Sequence, residues 1–200
     1  MAYEVEMKAW VDDWKALEAT LRERSGFRRS FRKEDRYYRM DVERNEDATL
    51  KRADPGFRIR MEGERACVTF KRKSRRGSAE VNLEREFRVD DTRAFLDLMM
   101  RTGYFQEFAK VKEGLRFEHD GLVAELAHVE ELGDFLEVES IGANDDEAAH
   151  ATAVRRITAF MTDCGIGSDR IEERPYMTLL RTARARSATR SSSDRRAPPE

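Results

Sequence analysis

Two hundred residues suit one domain with an ample core, and a 39% share of Asp, Glu, Lys and Arg lies well above the usual quarter. The net charge of −2 conceals an asymmetry: six Arg and two acids put residues 181–200 at +4, which leaves the remainder at about −6. Cys67 and Cys164 are too few for a disulfide framework and lack metal-finger spacing, no apolar run approaches a membrane span, and the charged start does not read as a signal peptide, so a cytoplasmic chain is the expectation.

The first predicted element is a strand, Glu4-Val5-Glu6-Met7-Lys8. Residues two apart share a face, so Glu4, Glu6 and Lys8 point one way while Tyr3, Val5 and Met7 point the other. Val11–Arg24 reads as a helix that starts at Asp12 or Asp13, carries Trp14, Leu17 and Leu21 at helical spacing, and stops at Ser25-Gly26. Phe31–Val42 reads as extended, and Glu43–Asp54 with Pro55-Gly56 as a long loop. The strand alternation then returns four times. Arg58 and Arg60 oppose Phe57, Ile59 and Met61; Thr69, Lys71 and Lys73 oppose Val68 and Phe70; Glu84 and Glu86 oppose Phe87 and Val89; Glu137 and Glu139 oppose Leu136 and Val138. Between these strands, Asp91–Gly103 reads as a helix, and Phe108–Phe117 with Leu122–Val129 as a hairpin about His119-Asp120-Gly121. Asp145–Cys164 reads as the longest helix, with Gly165 as its stop, and the Arg-, Ser- and Pro-rich stretch from 181 to 200 as a disordered tail beyond a domain spanning 1–180.

Strands, a helix, strands and then helices, with no βαβ rhythm, indicate an α+β fold with an antiparallel sheet. If the apolar faces meet packing helices, the charged faces line a common interior. Two acids crowded on one face call for a cation, and oxygen-ligated Mg²⁺ or Mn²⁺ is the usual one. An interior that also holds Arg and Lys suits a polyphosphate with its metals. Solvated sheet faces are the plainer alternative for each strand taken alone. The histidines lack ligand spacing and read as surface or satisfied groups.

The Glu-x-Glu-x-Lys at Glu4–Lys8, the Arg-x-Arg at Arg58–Arg60, the Thr-x-Lys at Thr69–Lys71 and the run Val129-Glu130-Glu131-Leu132-Gly133-Asp134-Phe135-Leu136-Glu137-Val138-Glu139 together resemble the CYTH family, also called triphosphate tunnel metalloenzymes. That family includes class IV adenylyl cyclases, thiamine triphosphatases and inorganic triphosphatases. The resemblance runs from Tyr3 to about Leu180, where Pro175-Tyr176-Met177-Thr178-Leu179-Leu180 is similar to the family's closing helix. It implies an eight-stranded antiparallel barrel, open as a tunnel, with helices outside. It further implies metal ligation by Glu4, Glu6, Glu137 and Glu139, with Glu84 and Glu86 either ligating or neutralising nearby bases. Lys8, Arg58, Arg60, Lys71 and Lys112 would bind phosphate and act in catalysis. Lys73 joins the binding set, although it and Lys110 lie nearer strand ends, where a solvated charge is the expectation.

Two positions depart from the family pattern. Lys112-Glu113-Gly114 stands where Lys-x-Arg is usual, and Ala127 stands where an acid ten residues before Glu137 is usual. Arg116 and Glu125 lie two residues away at the same parity, as the replacement base and acid if both strands have shifted together. The expected partner is a small triphosphate (ATP, thiamine triphosphate or tripolyphosphate), with no membrane and no nucleic acid, and a homodimer is left open. Attack by a ribose 3′-hydroxyl would make the chain an adenylyl cyclase, the first expectation; attack by water would make it a triphosphatase. A non-catalytic polyphosphate-binding module is the reading from another class.

Overall fold

The computed structural model describes residues 3–40, 56–76, 79–142 and 146–193, with the side chains of 71–84 and 188–193 outside that description. The loop expected over Glu43–Pro55 lies outside the described residues. Eight strands follow in order: β1 (Tyr3–Trp10), β2 (Gly26–Met40), β3 (Phe57–Glu62), β4 (Arg65–Arg76), β5 (Ala79–Arg88), β6 (Tyr104–His119), β7 (Leu122–Val129) and β8 (Gly133–Gly142). They form a closed barrel in the order β1-β5-β4-β3-β2-β6-β7-β8, and every neighbouring pair is antiparallel. The short β3 joins only Glu34–Tyr38 of β2 and Arg65–Thr69 of β4 to the closed order.

Helix α1 (Trp14–Arg24) begins where the Asp13 side chain accepts from the Ala16 amide, and α2 (Thr92–Arg101) where Asp91 accepts from Ala94. Helix α3 (Glu147–Asp163) is capped by Asp146 and ends before Gly165, whose φ of +83° needs a residue without a Cβ. The β6–β7 turn holds Asp120 and Gly121 both at positive φ, the conformation that an Asp-Gly pair supplies.

These helices cover the barrel from outside. Val5, Met7, Phe117, Leu126, Leu136 and Val138 on the strands' outer face pack with Leu17 and Leu21 of α1 and with Ile157, Phe160 and Met161 of α3. On the far side, Phe95 and Leu96 of α2 lie against Ile59 and Val68. The core therefore sits between barrel and helices, and the strands' other face is left for charge.

The final helix, α4 (Tyr176–Ser193), differs from expectation. Residues 181–193 continue it, where the sequence reading placed a disordered tail from 181. Tyr176 and Leu179 pack on Val129 and Phe135, and the helix then gains ion pairs of Arg181 with Glu107 and of Arg184 with Glu131, the latter at 2.6 Å. Arg and Ala are good helix formers once packing has nucleated the first turn. Residues 194–200 lie outside the described residues.

Candidate functional site: a charged barrel interior

The barrel encloses a cavity of about 790 Å³. One wall is acidic. On β1, Val5, Met7 and Ala9 are buried outward, which turns Glu4, Glu6 and Lys8 inward to the cavity. β8 lies antiparallel beside β1 with Glu139 opposite Glu6 and Glu137 opposite Lys8. Carboxylate oxygens of Glu4, Glu6 and Glu139 all lie within 4.8 Å of one another. Like charges directly opposite across a sheet are unfavourable. Burial, then Glu4, Glu125 and Glu6, push the Glu139 carboxyl up to about 7, even though Arg116 stands 3.9 Å away.

The remaining wall is basic and is organised around two buried carboxylates. Asp35 on β2 faces Arg60 of β3 on one side and Lys110 of β6 on the other at the same level of the barrel. Arg60 grips it with two hydrogen bonds, Nε at 2.7 Å and Nη2 at 2.9 Å; Lys110 lies at 3.3 Å and Arg58 at 3.9 Å. Burial raises the Asp35 pKa, but Arg60, Lys110 and Arg58 outweigh it and hold the group well below the usual carboxylate range. Glu125 on β7 gathers a second set: Lys33 bonds to it, Lys112 lies at 2.8 Å and Arg116 at 3.2 Å. Burial, followed by the neighbouring Lys112, pulls the Lys33 amine down to about 8. Glu137 is ion-paired to Lys112; although burial opposes it, Lys112 and Lys110 bring its carboxyl down to about 2.

The expected site residues therefore divide. Glu4, Glu6 and Glu139 come together as one oxygen cluster, whereas Glu137 and Glu125 sit among lysines as counter-ions. Glu86 lines the cavity, accepting from Thr69 at 2.7 Å and lying 3.5 Å from Arg58, which is the neutralising alternative of the two given for it. Lys8, Arg58, Arg60, Lys112 and Arg116 all line the cavity. Lys71 pairs in register with Glu84 and Lys73 with Asn82, but these side chains lie outside the described residues. Lys110 is a correction: it is 6% exposed and lines the cavity, because β6 begins at Tyr104 and so places Lys110 within the barrel, away from a strand end. Lys33 and Asp35 went unseen in sequence. The run Arg32-Lys33-Glu34-Asp35-Arg36 is charged on both faces and offers no apolar alternation to read.

The two departures turn out to be one feature. Gly114 of β6 lies directly opposite Ala127 of β7, and the same row continues to Phe31 on β2 and Phe135 on β8. A Cβ on Gly114 would come 2.0 Å from the Leu126 carbonyl oxygen and 2.7 Å from the Ala127 Cα, so this position admits no side chain. Arg116 and Glu125 form the directly opposed pair two residues along, and both reach the cavity.

One end of the cavity is closed by the start of α4, where Pro175, Tyr176 and Met177 line it. The Tyr176 ring lies 4.5 Å from the Lys110 amine and 5.3 Å from that of Lys8. Trp10, at the same end, stacks near Phe135 and donates to Glu172 at 3.1 Å. Among the described residues no helix is long and apolar enough to cross a membrane.

No protein-family model and no curated protein matches this chain at significance. Solved structures do. The PH1819 protein of Pyrococcus horikoshii superposes with a TM-score of 0.74 at 24% identity, covering 88% of this chain and 97% of that one. A Vibrio parahaemolyticus protein described as a candidate adenylate cyclase gives 0.71 at 17% identity, over 89% and 97% of the two chains. The Hippeastrum protein HpAC1, a candidate adenylyl cyclase with a dominant triphosphatase activity, gives 0.63 at 13% identity, over 91% and 96%. At such identities the likeness speaks to architecture alone: a closed eight-stranded antiparallel barrel with helices outside, as the resemblance in sequence implies.

Proposed function

We propose that the chain is a metal-dependent enzyme that acts on a triphosphate held inside the barrel. The observation that carries this reading is the division of one enclosed cavity into an acidic trio, Glu4, Glu6 and Glu139, and a wall of Lys and Arg. A hard divalent cation suits the trio: three carboxylates supply oxygen donors, and burial, followed by Glu4, Glu125 and Glu6, suppresses the charge of Glu139. Such an ion, Mg²⁺ or Mn²⁺, would neutralise phosphate oxygens as charge builds in the transition state. The chain's own cations perform the rest. Arg58 and Arg60 present planar forks to phosphate oxygens; Lys8, Lys110 and Lys112 supply compact charge from neighbouring strands. Lys71 and Lys73 belong to the same proposal by register.

The chemistry is in-line displacement at phosphorus, promoted by positioning and electrostatics with no covalent nucleophile on the protein. With a ribose 3′-hydroxyl attacking the α-phosphorus, the bond from that phosphorus to the α–β bridging oxygen breaks, pyrophosphate leaves and the hydroxyl proton goes to solvent; with water attacking the terminal phosphorus, the bond to the β–γ bridging oxygen breaks, the diphosphate is the leaving group and the attacked phosphorus is released as orthophosphate. The spacing after Lys8 resembles that of class IV cyclases, which favours cyclisation in keeping with the description of the Vibrio neighbour, while the dominant triphosphatase activity of the Hippeastrum protein supports hydrolysis. Incubation with ATP, thiamine triphosphate and tripolyphosphate, with and without Mg²⁺ or Mn²⁺, tests the proposal. Metal-dependent release of phosphate or pyrophosphate is expected. Binding of these ligands without turnover of any would replace the enzyme by a binding module.

A further inference from the structure

The basic wall contains a carboxylate that no triphosphate could touch. Asp35 is 0% exposed and lies behind Arg58, Arg60 and Lys110, which stand between it and the cavity. It belongs to none of the acids clustered near Glu6. Three cations converge on it from the two flanking strands: Arg58 and Arg60 from β3 and Lys110 from β6, with Asp35 itself on β2 between them. The Arg60 fork is locked in plane by its two hydrogen bonds, and Arg58 is held from the other side by Thr69 at 2.9 Å. Three cations outnumber Asp35 and the Glu86 carboxylate that lies 3.5 Å from Arg58, so the group stays net positive and still attracts an anion.

Resting on the triphosphate reading of the tunnel, we propose that Asp35 is a positioning residue: it fixes Arg58, Arg60 and Lys110 in the arrangement that receives the phosphate chain. Its benefit comes from preorganisation. Without it, three neighbouring cations repel one another and must be ordered by the ligand, at the ligand's expense in affinity. The alternative is that Asp35 is a plain counter-ion that competes with phosphate for the same cations. The two accounts predict opposite signs, because removing a negative charge from an anion site should tighten anion binding unless that charge is what arranges the site.

The test is Asp35→Asn, which keeps shape and loses charge, with tripolyphosphate as the probe in calorimetric titration and with steady-state turnover alongside. Positioning predicts tripolyphosphate binding weakened by about tenfold or more and KM raised by a similar factor, with kcat changed far less. Asp35→Glu keeps the charge but moves the carboxylate by one methylene, so it should also weaken binding, whereas a counter-ion role would leave it at the wild-type value. This second variant decides the matter if Asp35→Asn does not fold. Unchanged or tighter binding in the folded variants would overturn the proposal. Failure of the wild-type protein to bind tripolyphosphate would instead overturn the triphosphate reading, and binding without turnover would remove the enzyme while leaving Asp35 testable.

Discussion

The two walls of the tunnel solve the problem of buried charge in different ways. The basic wall carries its own counter-ions: Asp35 sits among Arg58, Arg60 and Lys110, and Glu125 among Lys33, Lys112 and Arg116. The acidic wall instead gathers Glu4, Glu6 and Glu139 within 4.8 Å of one another, where burial, followed by Glu4, Glu125 and Glu6, pushes the Glu139 carboxyl up to about 7. A wall balanced from within is rigid before ligand arrives. In the proposed function the acidic wall is completed by a divalent cation, which has the charge and the affinity for oxygen to bridge clustered carboxylates. The comparison predicts that changes to the acidic wall will act on metal dependence, and changes to the basic wall on phosphate affinity.

The largest effect is expected from breaking the acidic wall. Glu4→Ala or Glu6→Ala should lower metal-dependent turnover by more than about 100-fold while the circular dichroism spectrum stays that of the folded protein. Kinetics unchanged from wild type would remove the metal site from this wall. On the basic wall, Arg58→Ala should mainly weaken triphosphate binding, by about 1.5–3 kcal/mol, roughly 10- to 100-fold in Kd. A loss confined to kcat would show that Arg58 acts on the transition state alone.

A third test separates packing from charge at the row of Gly114 and Ala127. Because a Cβ at Gly114 meets backbone at 2.0 Å, Gly114→Ala should cost at least about 1–3 kcal/mol in urea unfolding. Gly114→Arg should lose stability and gain no activity, despite adding the base that the family pattern would put there. Arg116→Ala and Glu125→Ala, by contrast, should each reduce triphosphate turnover. If both were silent, the pair would have no part in the site.

The smallest effect is a matter of pH. The Glu139 carboxyl, raised from 4.5 to about 7, binds its proton more tightly in the folded state than in the unfolded chain. Its contribution is therefore fully favourable below pH 4.5 and is lost as pH rises through 7. Glu139→Gln should remove that loss and stabilise the metal-free protein at pH 8, on the order of 1–3 kcal/mol. The same substitution should flatten the melting temperature between pH 4.5 and 7 and reduce the gain from added Mn²⁺. A variant less stable than wild type at pH 8 would show that Glu139 is already satisfied within the protein.

What the sequence disclosed depended on whether a strand's two faces differ. On β1, β3 and β8, apolar residues alternate with charged ones, so Glu4, Glu6, Lys8, Arg58, Arg60, Glu137 and Glu139 were legible from period two as the charged faces, while it took the family resemblance to turn those faces inward. On β2 the outward residues are charged as well, with Arg32 lying near Glu113 and Glu130 on the outside, and the alternation that would have singled out Lys33 and Asp35 is erased. Parity also could not say which acids would gather. Glu137 and Glu139 look equivalent in sequence, yet the first meets Lys112 and the second meets Glu6, because the register of β8 against β1 and β7 decides each neighbour. The last helix was hidden for a different reason. Its Arg- and Ser-rich composition suits a solvated tail, and what holds residues 181–187 is contact with Glu107 of β6 and with Glu131 in the β7–β8 turn, both distant in sequence.

The most direct test of the account is product analysis of tripolyphosphate and ATP incubated with the wild-type protein and Glu6→Gln, each with Mn²⁺ and with chelator. The account predicts phosphate or pyrophosphate release by the wild-type protein with Mn²⁺, loss of that release with chelator, and loss again in Glu6→Gln, while tripolyphosphate binding survives in the variant. Turnover that persists in chelator, or that Glu6→Gln leaves intact, would contradict it.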